Sequence, residues 1–145
     1  MGKYLVAVPV RWSDQDINGH VNNAKIVTLV EEARIQWLNK DAAVEGLVSF
    51  DTPKVVVSLH VEFQRPLSAD CDVEVSISVK RIGRTSFTLC YSGMQADRNR
   101  FTAETTLVVL DRSDGQPRPL TDPERSYLLR HIADDAAVPR IVESV

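Results

Sequence analysis

The chain has 145 residues, of which 43% are hydrophobic, and a formal net charge of −3. This length and composition predict a single globular domain over residues 1–145. The acidic balance argues against a general nucleic-acid-binding protein, which is normally basic. No apolar run approaches the ~20 residues of a membrane span, so we expect no membrane insertion. The first residues enter a strand pattern without a signal-peptide cleavage site, which indicates a cytoplasmic protein.

The first half of the chain predicts a strand, a loop and a long helix. Apolar residues alternate from Val6 to Trp12, as in a β-strand. Residues 24–39 carry apolar side chains at helical spacing and contain no Gly or Pro. At about 1.5 Å per residue this helix would span about 24 Å, close to the length of a seven-residue strand. A sheet could therefore wrap along its whole length.

The second half predicts one strand after another. Apolar residues recur along four strand-like segments, residues 55–63, 71–79, 87–91 and 101–110. The order β-α-β-β-β-β, with one long helix, predicts an α+β fold in which a five-stranded antiparallel sheet wraps around the helix. Cys71 and Cys90 lie in these segments without metal-ligand spacing, so we expect buried, reduced thiols.

A short helix is predicted near the C-terminus. Thr121, Pro123 and Glu124 form a capping-box pattern with Pro at the helix start, and the helix should end near His131. Residues 133–145 show no clear period, and we expect them to form a loose tail.

The loop at residues 11–23, called the motif loop below, is the most informative part of the chain. Seven of its thirteen residues can act as acids, bases or amide hydrogen-bonding groups. Backbone N–H groups in the first turn of a helix are unpaired, and the helix dipole adds partial positive charge there. A carbonyl oxygen that develops negative charge could be stabilised at this point, with Asp14, Asp16 and His20 near it to transfer protons. The motif loop therefore has the outline of an acyl-transfer site.

Calcium binding and helix capping are two other interpretations of this loop. Residues 14–19 open like an EF-hand loop, but Lys25 occupies the twelfth position, where a bidentate Glu should complete the calcium ligands. We therefore expect no metal here. Asn22 or Asn23 is a suitable N-cap residue, yet capping does not account for two carboxylates and a His.

Several segments together resemble one family. Residues 14–23 match the D-x-D-x-x-G-H-V-N-N signature of hotdog-fold thioesterases of the 4-hydroxybenzoyl-CoA thioesterase class, in the branch that acts on acyl-CoA. Residues 31–34, 60–67 and 81–87 match the family's next recurrent segments in the right order. The motif is also similar to that of plant acyl-carrier-protein thioesterases. One departure is Ile26, which stands where the family often has Tyr.

The resemblance implies roles for individual residues. Asp16 aligns with the catalytic carboxylate, which in relatives attacks the thioester or activates water. The backbone N–H near Asn23 aligns with the group that polarises the thioester carbonyl. Asn18 and His20 align with residues that assist catalysis in the acyl-carrier-protein branch. Asp14 is expected to be structural and turned away from Asp16.

The residue types support this chemistry independently. The chain has no Ser in a G-x-S-x-G elbow, and neither Cys has a basic partner nearby in sequence. A carboxylate beside a helix-terminal oxyanion site is sufficient for a thioester, whose leaving thiol is already fairly acidic. Glu32 is a second candidate carboxylate, since other hotdog thioesterases take theirs from the helix. No cofactor is expected.

Coenzyme A recognition is predicted at the hairpin turn near residue 84. Cations concentrate there, and the planar guanidinium of Arg donates in pairs to phosphate. The segment also resembles the nucleotide-contacting segment of relatives. The expected CoA-binding residues are Arg81, Arg84, Thr85 and Ser86, and a solvated hairpin tip is the alternative.

The resemblance also implies an assembly. Relatives dimerise by extending the sheet, and they bind acyl-pantetheine between subunits. Open sheet edges would otherwise pair with other chains, so we expect a homodimer or a tetramer of two dimers. The alternatives to an acyl-CoA thioesterase are an acyl-carrier-protein thioesterase, a hotdog dehydratase or hydratase, and a non-catalytic acyl-CoA-binding or metal-binding module.

Overall fold

The computed structural model describes residues 2–44, 46–47, 50, 52–132 and 141–142. The strands are β1 (Tyr4–Val8), β2 (Lys54–Phe63), β3 (Val73–Gly83), β4 (Ser86–Gln95), β5 (Arg98–Val109) and β6 (Ile141–Val142). The central helix comprises Asn23–Ile35, a π-helical segment Gln36–Asp41 and a last turn Ala42–Val44, and the C-terminal helix is Asp122–Leu129. The predicted five-stranded antiparallel sheet, long helix and short C-terminal helix are confirmed.

The sheet has the strand order β1-β3-β4-β5-β2, and each of these neighbours pairs antiparallel. The short strand β6 was not predicted, and it pairs in parallel with β3 at Ile82 and Gly83. The predicted tail otherwise falls on residues 133–140 and 143–145, which lie outside the described residues. Strands β1 and β2 lie at the two ends of the main strand order.

The core lies between the central helix and one face of the sheet. The helix contributes its buried side chains at helical spacing, among them Ile26, Val30 and Trp37. These residues belong to one cluster with the inward-facing residues of β3, β4 and β5. Burial of each large apolar side chain contributes about 1.5–3 kcal/mol, so packing against this helix stabilises the sheet.

The first strand and the central helix differ in length from their predicted lengths. Strand β1 ends at Val8, because Pro9 has no N–H group for the ladder, and the chain then forms a 3₁₀ turn at Trp12–Asp14. The central helix continues to Val44, beyond the predicted end at residue 39, because the π-helical segment carries the chain onward.

Strand β2 is exposed along most of its length, and within it only Lys54 and Val61 are half-buried. It pairs with β5 on one side and has no neighbour on the other among the described residues. Its large apolar side chains are 40–51% exposed, namely Val55, Val56, Val57, Leu59 and Phe63. The strand therefore presents an apolar free edge.

The β4–β5 hairpin has two specific local requirements. Its two-residue turn is formed by Ala96 and Asp97, whose φ angles of 51° and 58° are those of a primed turn matched to the strand twist. Next to it, Gly93 lies against the buried ring of Phe101. A Cβ atom at Gly93 would lie only 2.1 Å from Cε2 of that ring, so no larger residue fits there while Phe101 stays in place.

The prediction that both cysteines are buried is wrong, since Cys71 is exposed and Cys90 is only half-buried. Cys71 is exposed because β3 begins two residues later, at Val73, and Cys90 is half-buried on β4. None of the helices within the described parts of the chain combines the length and apolar character needed to cross a membrane.

Candidate active site

The motif loop folds back on itself at a tight turn. The N–H of Gly19 donates to the carbonyl of Asp16 at 3.1 Å, and the N–H of Asp16 donates to the carbonyl of His20 at 3.0 Å. Asp at the first position and Gly at the fourth are preferred in such turns, and Gly19 supplies a φ of +77°. Asp16 and His20 are therefore held next to each other by backbone hydrogen bonds.

Two further hydrogen bonds fix the loop to the rest of the fold. The N–H of Val21 donates to the carbonyl of Leu67 at 3.1 Å, and the N–H of Asn22 donates to the carbonyl of Asp14 at 3.0 Å. Val21 and Leu67 are both buried. The start of the central helix is thereby anchored against residues 64–72, the connection from β2 to β3.

The first turn of the central helix has one available backbone donor. Asn22 is the N-cap, and its Oδ1 accepts the N–H of Ala24 at 2.9 Å. The N–H groups of Lys25 and Ile26 donate to the carbonyl of Asn22. Within the described residues, no hydrogen bond occupies the N–H of Asn23, which the helix dipole makes more positive. Of the two capping residues considered from sequence, Asn22 is the cap and Asn23 is the first helical residue.

An open cavity of about 370 Å³ lies where this helix start meets the end of β2. It has a polar side formed by the motif loop and an apolar side formed by the helix and the end of β2. Its lining residues are Asp16, Asn18, His20, Val21, Asn22, Asn23, Ile26, Phe63, Gln64, Arg65, Pro66 and Leu67. The structure thus brings the four predicted catalytic residues to one cavity.

Asp16 is half-buried, and it keeps one carboxylate oxygen available. Its Oδ1 accepts the N–H of Asn18 at 2.9 Å, while Oδ2 has no hydrogen-bond partner among the described residues. The side chains of Asn18 and His20 are exposed, and neither makes a hydrogen bond within the described part of the chain. The carboxylate can therefore act on a molecule in the cavity as a base or as a nucleophile.

Asp14 has a different environment from Asp16. It is 4% exposed, and its Oδ2 accepts the backbone N–H of Arg11 at 3.0 Å. It lines a second cavity of about 180 Å³, together with Lys25 and Glu32. These contacts agree with the structural role expected for Asp14.

Glu32, the second candidate carboxylate, is not brought to the Asp16 cavity. It follows Asn23 by nine residues, or about two and a half helical turns, and so it faces the opposite side of the helix. Glu32 lines the cavity that contains Asp14, whereas the N–H of Asn23 lies at the cavity that contains Asp16. Glu31, one residue earlier, is exposed and faces a groove beside β2.

The predicted CoA-binding residues lie far from the cavity in one chain. Phe63 pairs with Phe101 at one end of β2, and Lys54 pairs with Val109 at the other. The β3–β4 turn lies at the Lys54 end, because Ser86 pairs with Val108. Nine residues of strand at about 3.3 Å each separate the two ends by about 30 Å.

The side chains of this turn also differ in exposure. Arg81 and Arg84 are exposed and can meet a ligand, whereas Thr85 and Ser86 are only 6% and 1% exposed. Within one chain, the structure therefore does not place Arg81, Arg84, Thr85 or Ser86 at the cavity that contains Asp16.

Sequence reasoning missed the contribution of the β2–β3 connection to the site. Gln64 and Arg65 line the cavity, and Nη1 of Arg65 donates to the carbonyl of Asn99 at 3.1 Å. The segment matched a recurrent family segment, but nothing in its local pattern showed that it would meet the motif loop. That contact depends on the hydrogen bond between Val21 and Leu67, which is far from local in sequence.

A family model described as the thioesterase-like superfamily matches residues 10–128, which include the motif loop and the whole sheet apart from β1 and β6. The chain belongs to the thioesterase-like superfamily. Its fold is also shared with a thioesterase, assigned by prediction, from Bacillus stearothermophilus, at 23% identity and a TM-score of 0.80 over 90% of this chain and 97% of that one.

Two solved structures are more similar in sequence. A thioesterase from Thermus thermophilus, in complex with coenzyme A and Zn, is 28% identical with a TM-score of 0.73 over 87% of this chain and 92% of that one. An acyl-CoA thioesterase candidate from Xanthomonas campestris is 31% identical with a TM-score of 0.67 over 81% and 98%. The uncharacterized protein YsmA of Bacillus subtilis (strain 168) is 28% identical over 123 residues, 84% of this chain and 82% of that one.

Proposed function

We propose that this thioesterase-like protein hydrolyses the thioester of acyl-CoA to a carboxylic acid and CoA, as a member of the 4-hydroxybenzoyl-CoA thioesterase class. One observation carries the proposal. The available Oδ2 of Asp16 and the available N–H of Asn23 line the same cavity. A thioester in that cavity would meet a base or nucleophile and a carbonyl-polarising donor together.

The reaction follows from these two groups. The N–H of Asn23 donates to the thioester oxygen, which gains negative charge as the carbonyl is attacked. Asp16 either removes a proton from the attacking water or attacks the carbonyl carbon itself. In the second route the C–S bond breaks, CoA leaves as a thiolate, and water then hydrolyses the acyl-aspartyl anhydride. Asn18 and His20 are proposed to position the water and assist proton transfer.

The substrate is proposed from the cavity lining and from a relative. Ile26 and Phe63 give the cavity an apolar side suited to an acyl group. The thioesterase from Thermus thermophilus binds coenzyme A, which supports acyl-CoA as the substrate here. A cytoplasmic location stays a prediction from the sequence.

A homodimer would complete this site. The free edge of β2 is apolar, and edge strands of this kind pair with another chain. If two β2 strands pair antiparallel about a twofold axis, the Lys54 end of one lies beside the Phe63 end of the other. The partner subunit's Arg84 would then lie at the end of the sheet that carries Asp16. A tetramer would form from two such dimers.

A second candidate substrate is an acyl-carrier-protein thioester. Trp12 and Ile17 of the motif loop are 82% and 101% exposed. Large exposed apolar side chains beside a site are typical of surfaces that contact another protein. A carrier protein that delivers the thioester would find such a contact here.

The test is a hydrolysis screen over acyl-CoA chain lengths, read as released thiol, with wild-type protein and an Asp16→Asn variant. We expect turnover by the wild type and a loss of about 10²–10⁴ in the variant. Acyl-carrier-protein substrates of the same chain lengths form the second arm. Tight binding of acyl-CoA with no thiol release on either carrier would show a binding module and reject the enzyme.

A further inference from the structure

The groove between the central helix and β2 contains a buried cation with weak partners. Arg34 is 9% exposed, and it lines a groove of about 190 Å³ whose walls include Val30, Val56 and Leu59. Its Nη1 donates to the hydroxyl of Tyr91 at 3.4 Å, a long hydrogen bond. Its Nη2 lies 3.8 Å from Oε2 of Glu31, beyond hydrogen-bond distance.

This environment leaves the charge of Arg34 poorly compensated within one chain. A guanidinium has five N–H donors, and a buried charge is costly unless it is paired and hydrogen-bonded. Tyr91 is no counter-ion, because burial raises the pKa of its hydroxyl and keeps it neutral. Glu31 carries the opposite charge, but its side chain is 60% exposed at the rim of the groove, and its carboxylate lies 3.8 Å from Arg34. We therefore expect a further anion opposite the helix face that carries Arg34.

The position of the groove indicates where such an anion would come from. Val56 and Leu59 lie near the middle of β2, so a twofold axis that pairs two β2 strands antiparallel about their midpoints would pass beside the groove. Glu31 and Arg34 are one helical turn apart on the same face. A twofold axis reverses the order of two such residues on the facing helix. The acidic position of one chain then lies opposite the basic position of the other.

We propose that Glu31 and Arg34 form reciprocal ion pairs with the partner subunit's Arg34 and Glu31 across a twofold axis. The inference rests on the homodimer of the proposed function, and it adds the residues that recognise a second copy of this chain. Both symmetry-related ion pairs can form at only one register of the two paired β2 strands. That register decides how close the partner's β3–β4 turn comes to the Asp16 cavity.

Charge exchange between two variants tests this pairing directly. Glu31→Arg and Arg34→Glu should each weaken the homodimer at least about tenfold, because each puts like charges opposite one another. An equimolar mixture of the two variants should form a heterodimer, in which both pairs across the interface are again of opposite charge. The double variant Glu31→Arg/Arg34→Glu should also recover the homodimer. Sedimentation velocity over a dilution series measures the dissociation constants.

Glu32→Arg is the matched control, since it makes the same charge change on the same helix but faces the second cavity. It should leave the dissociation constant unchanged. If the single variants do not fold by circular dichroism, the double variant alone still tests the pairing, and a monomeric double variant rejects it. Wild-type protein that is monomeric at micromolar concentration also rejects it.

Two other outcomes would overturn the inference. Single variants that dimerise as tightly as the wild type would show that these charges do not meet across an interface. A change confined to the acyl chains hydrolysed, with the dimer intact, would assign the groove to substrate. Since molecular mass is measured without any substrate, a protein that hydrolyses no thioester would still test the ion pairs.

Discussion

Asp14 and Asp16 are separated by one residue, yet their carboxylates serve opposite sides of the motif loop. Asp14 accepts the backbone N–H of Arg11 and lines the smaller cavity, while Asp16 shares the larger cavity with Asn23. One carboxylate is committed to folding the loop, and the other keeps an oxygen available for chemistry. The two positions should therefore respond differently to the same substitution.

Asp16→Asn should lower kcat by about 10²–10⁴ and leave the free energy of unfolding nearly unchanged, because the side chain is half-buried and packs little. Asp14→Asn should lower the free energy of unfolding by about 1–3 kcal/mol, since it weakens a buried hydrogen bond, and retain most of the activity. Thiol-release kinetics and chemical denaturation measure the two effects. Equal activity losses in both variants would contradict separate roles.

Asn18→Ala and His20→Ala should each cost less activity than Asp16→Asn. Both side chains are exposed and neither makes a hydrogen bond within the described part of the chain, so they can assist but do not anchor the site. The predicted order of kcat is wild type, then Asn18→Ala or His20→Ala, then Asp16→Asn. A His20→Ala variant as damaged as Asp16→Asn would move the proton-transfer role to His20.

Asn23→Pro isolates the contribution of a single backbone N–H group. Residue 23 is the first helical position, where Pro is well tolerated, and Asn22 has the extended backbone that a following Pro requires. Removal of this donor should lower kcat by about 10²–10³ with little change in stability. Asn23→Ala keeps the N–H and is the control. If both variants hydrolyse thioesters at the same rate, the helix start does not polarise the carbonyl.

Arg84→Ala should raise KM for acyl-CoA more than it lowers kcat, because the phosphates of CoA lie far from the reacting bond. An acyl thioester of N-acetylcysteamine lacks those phosphates and serves as the control substrate. Its KM should not change in the variant. An unchanged KM for acyl-CoA across a salt series would remove Arg84 from the binding site.

Calcium should neither bind tightly nor be required. Lys25 stands where the closing Glu of a calcium loop is needed, and the Asp14 carboxylate is occupied by Arg11. Thermal unfolding with calcium or with a chelator should give the same Tm, and thiol release should be unaffected. A strong calcium-dependent rise in Tm, together with loss of activity in chelator, would favour the metal site.

Local patterns predicted most of the fold. The Asn22 cap, the capping box of Thr121 and Glu124, and the alternation along β3 each depend on neighbours in sequence, and the structure contains all three. The end of the central helix was misjudged, because the π-helical segment is held by a distant contact. There the hydroxyl of Tyr127 donates to Oδ2 of Asp41 at 2.6 Å.

Predictions that depended on packing between distant elements were less successful. His131 was predicted as the end of the C-terminal helix, but it is half-buried, and its ring lies 5.2 Å from that of Trp37 and 5.4 Å from that of Tyr127. The apolar alternation of β2 is present, yet most of its apolar side chains remain exposed in this chain. The short spacing in sequence predicted that Asp16, Asn18, His20 and Asn23 would lie close together. The distance of Arg84 from their cavity became clear only from the strand register.

Because Gly93 lies against the ring of Phe101, the residues tolerated at position 93 depend on the residue at position 101, and the reverse also holds. A library that varies position 93 alone should return only glycine among folded clones, since the ring occupies the space of any Cβ. A smaller residue at position 101 would make alanine or serine admissible at position 93. Phe101 also pairs with Phe63, which lines the Asp16 cavity. We therefore expect a compensated pair of substitutions in this hairpin to change the shape of the Asp16 cavity without replacing any residue that lines it.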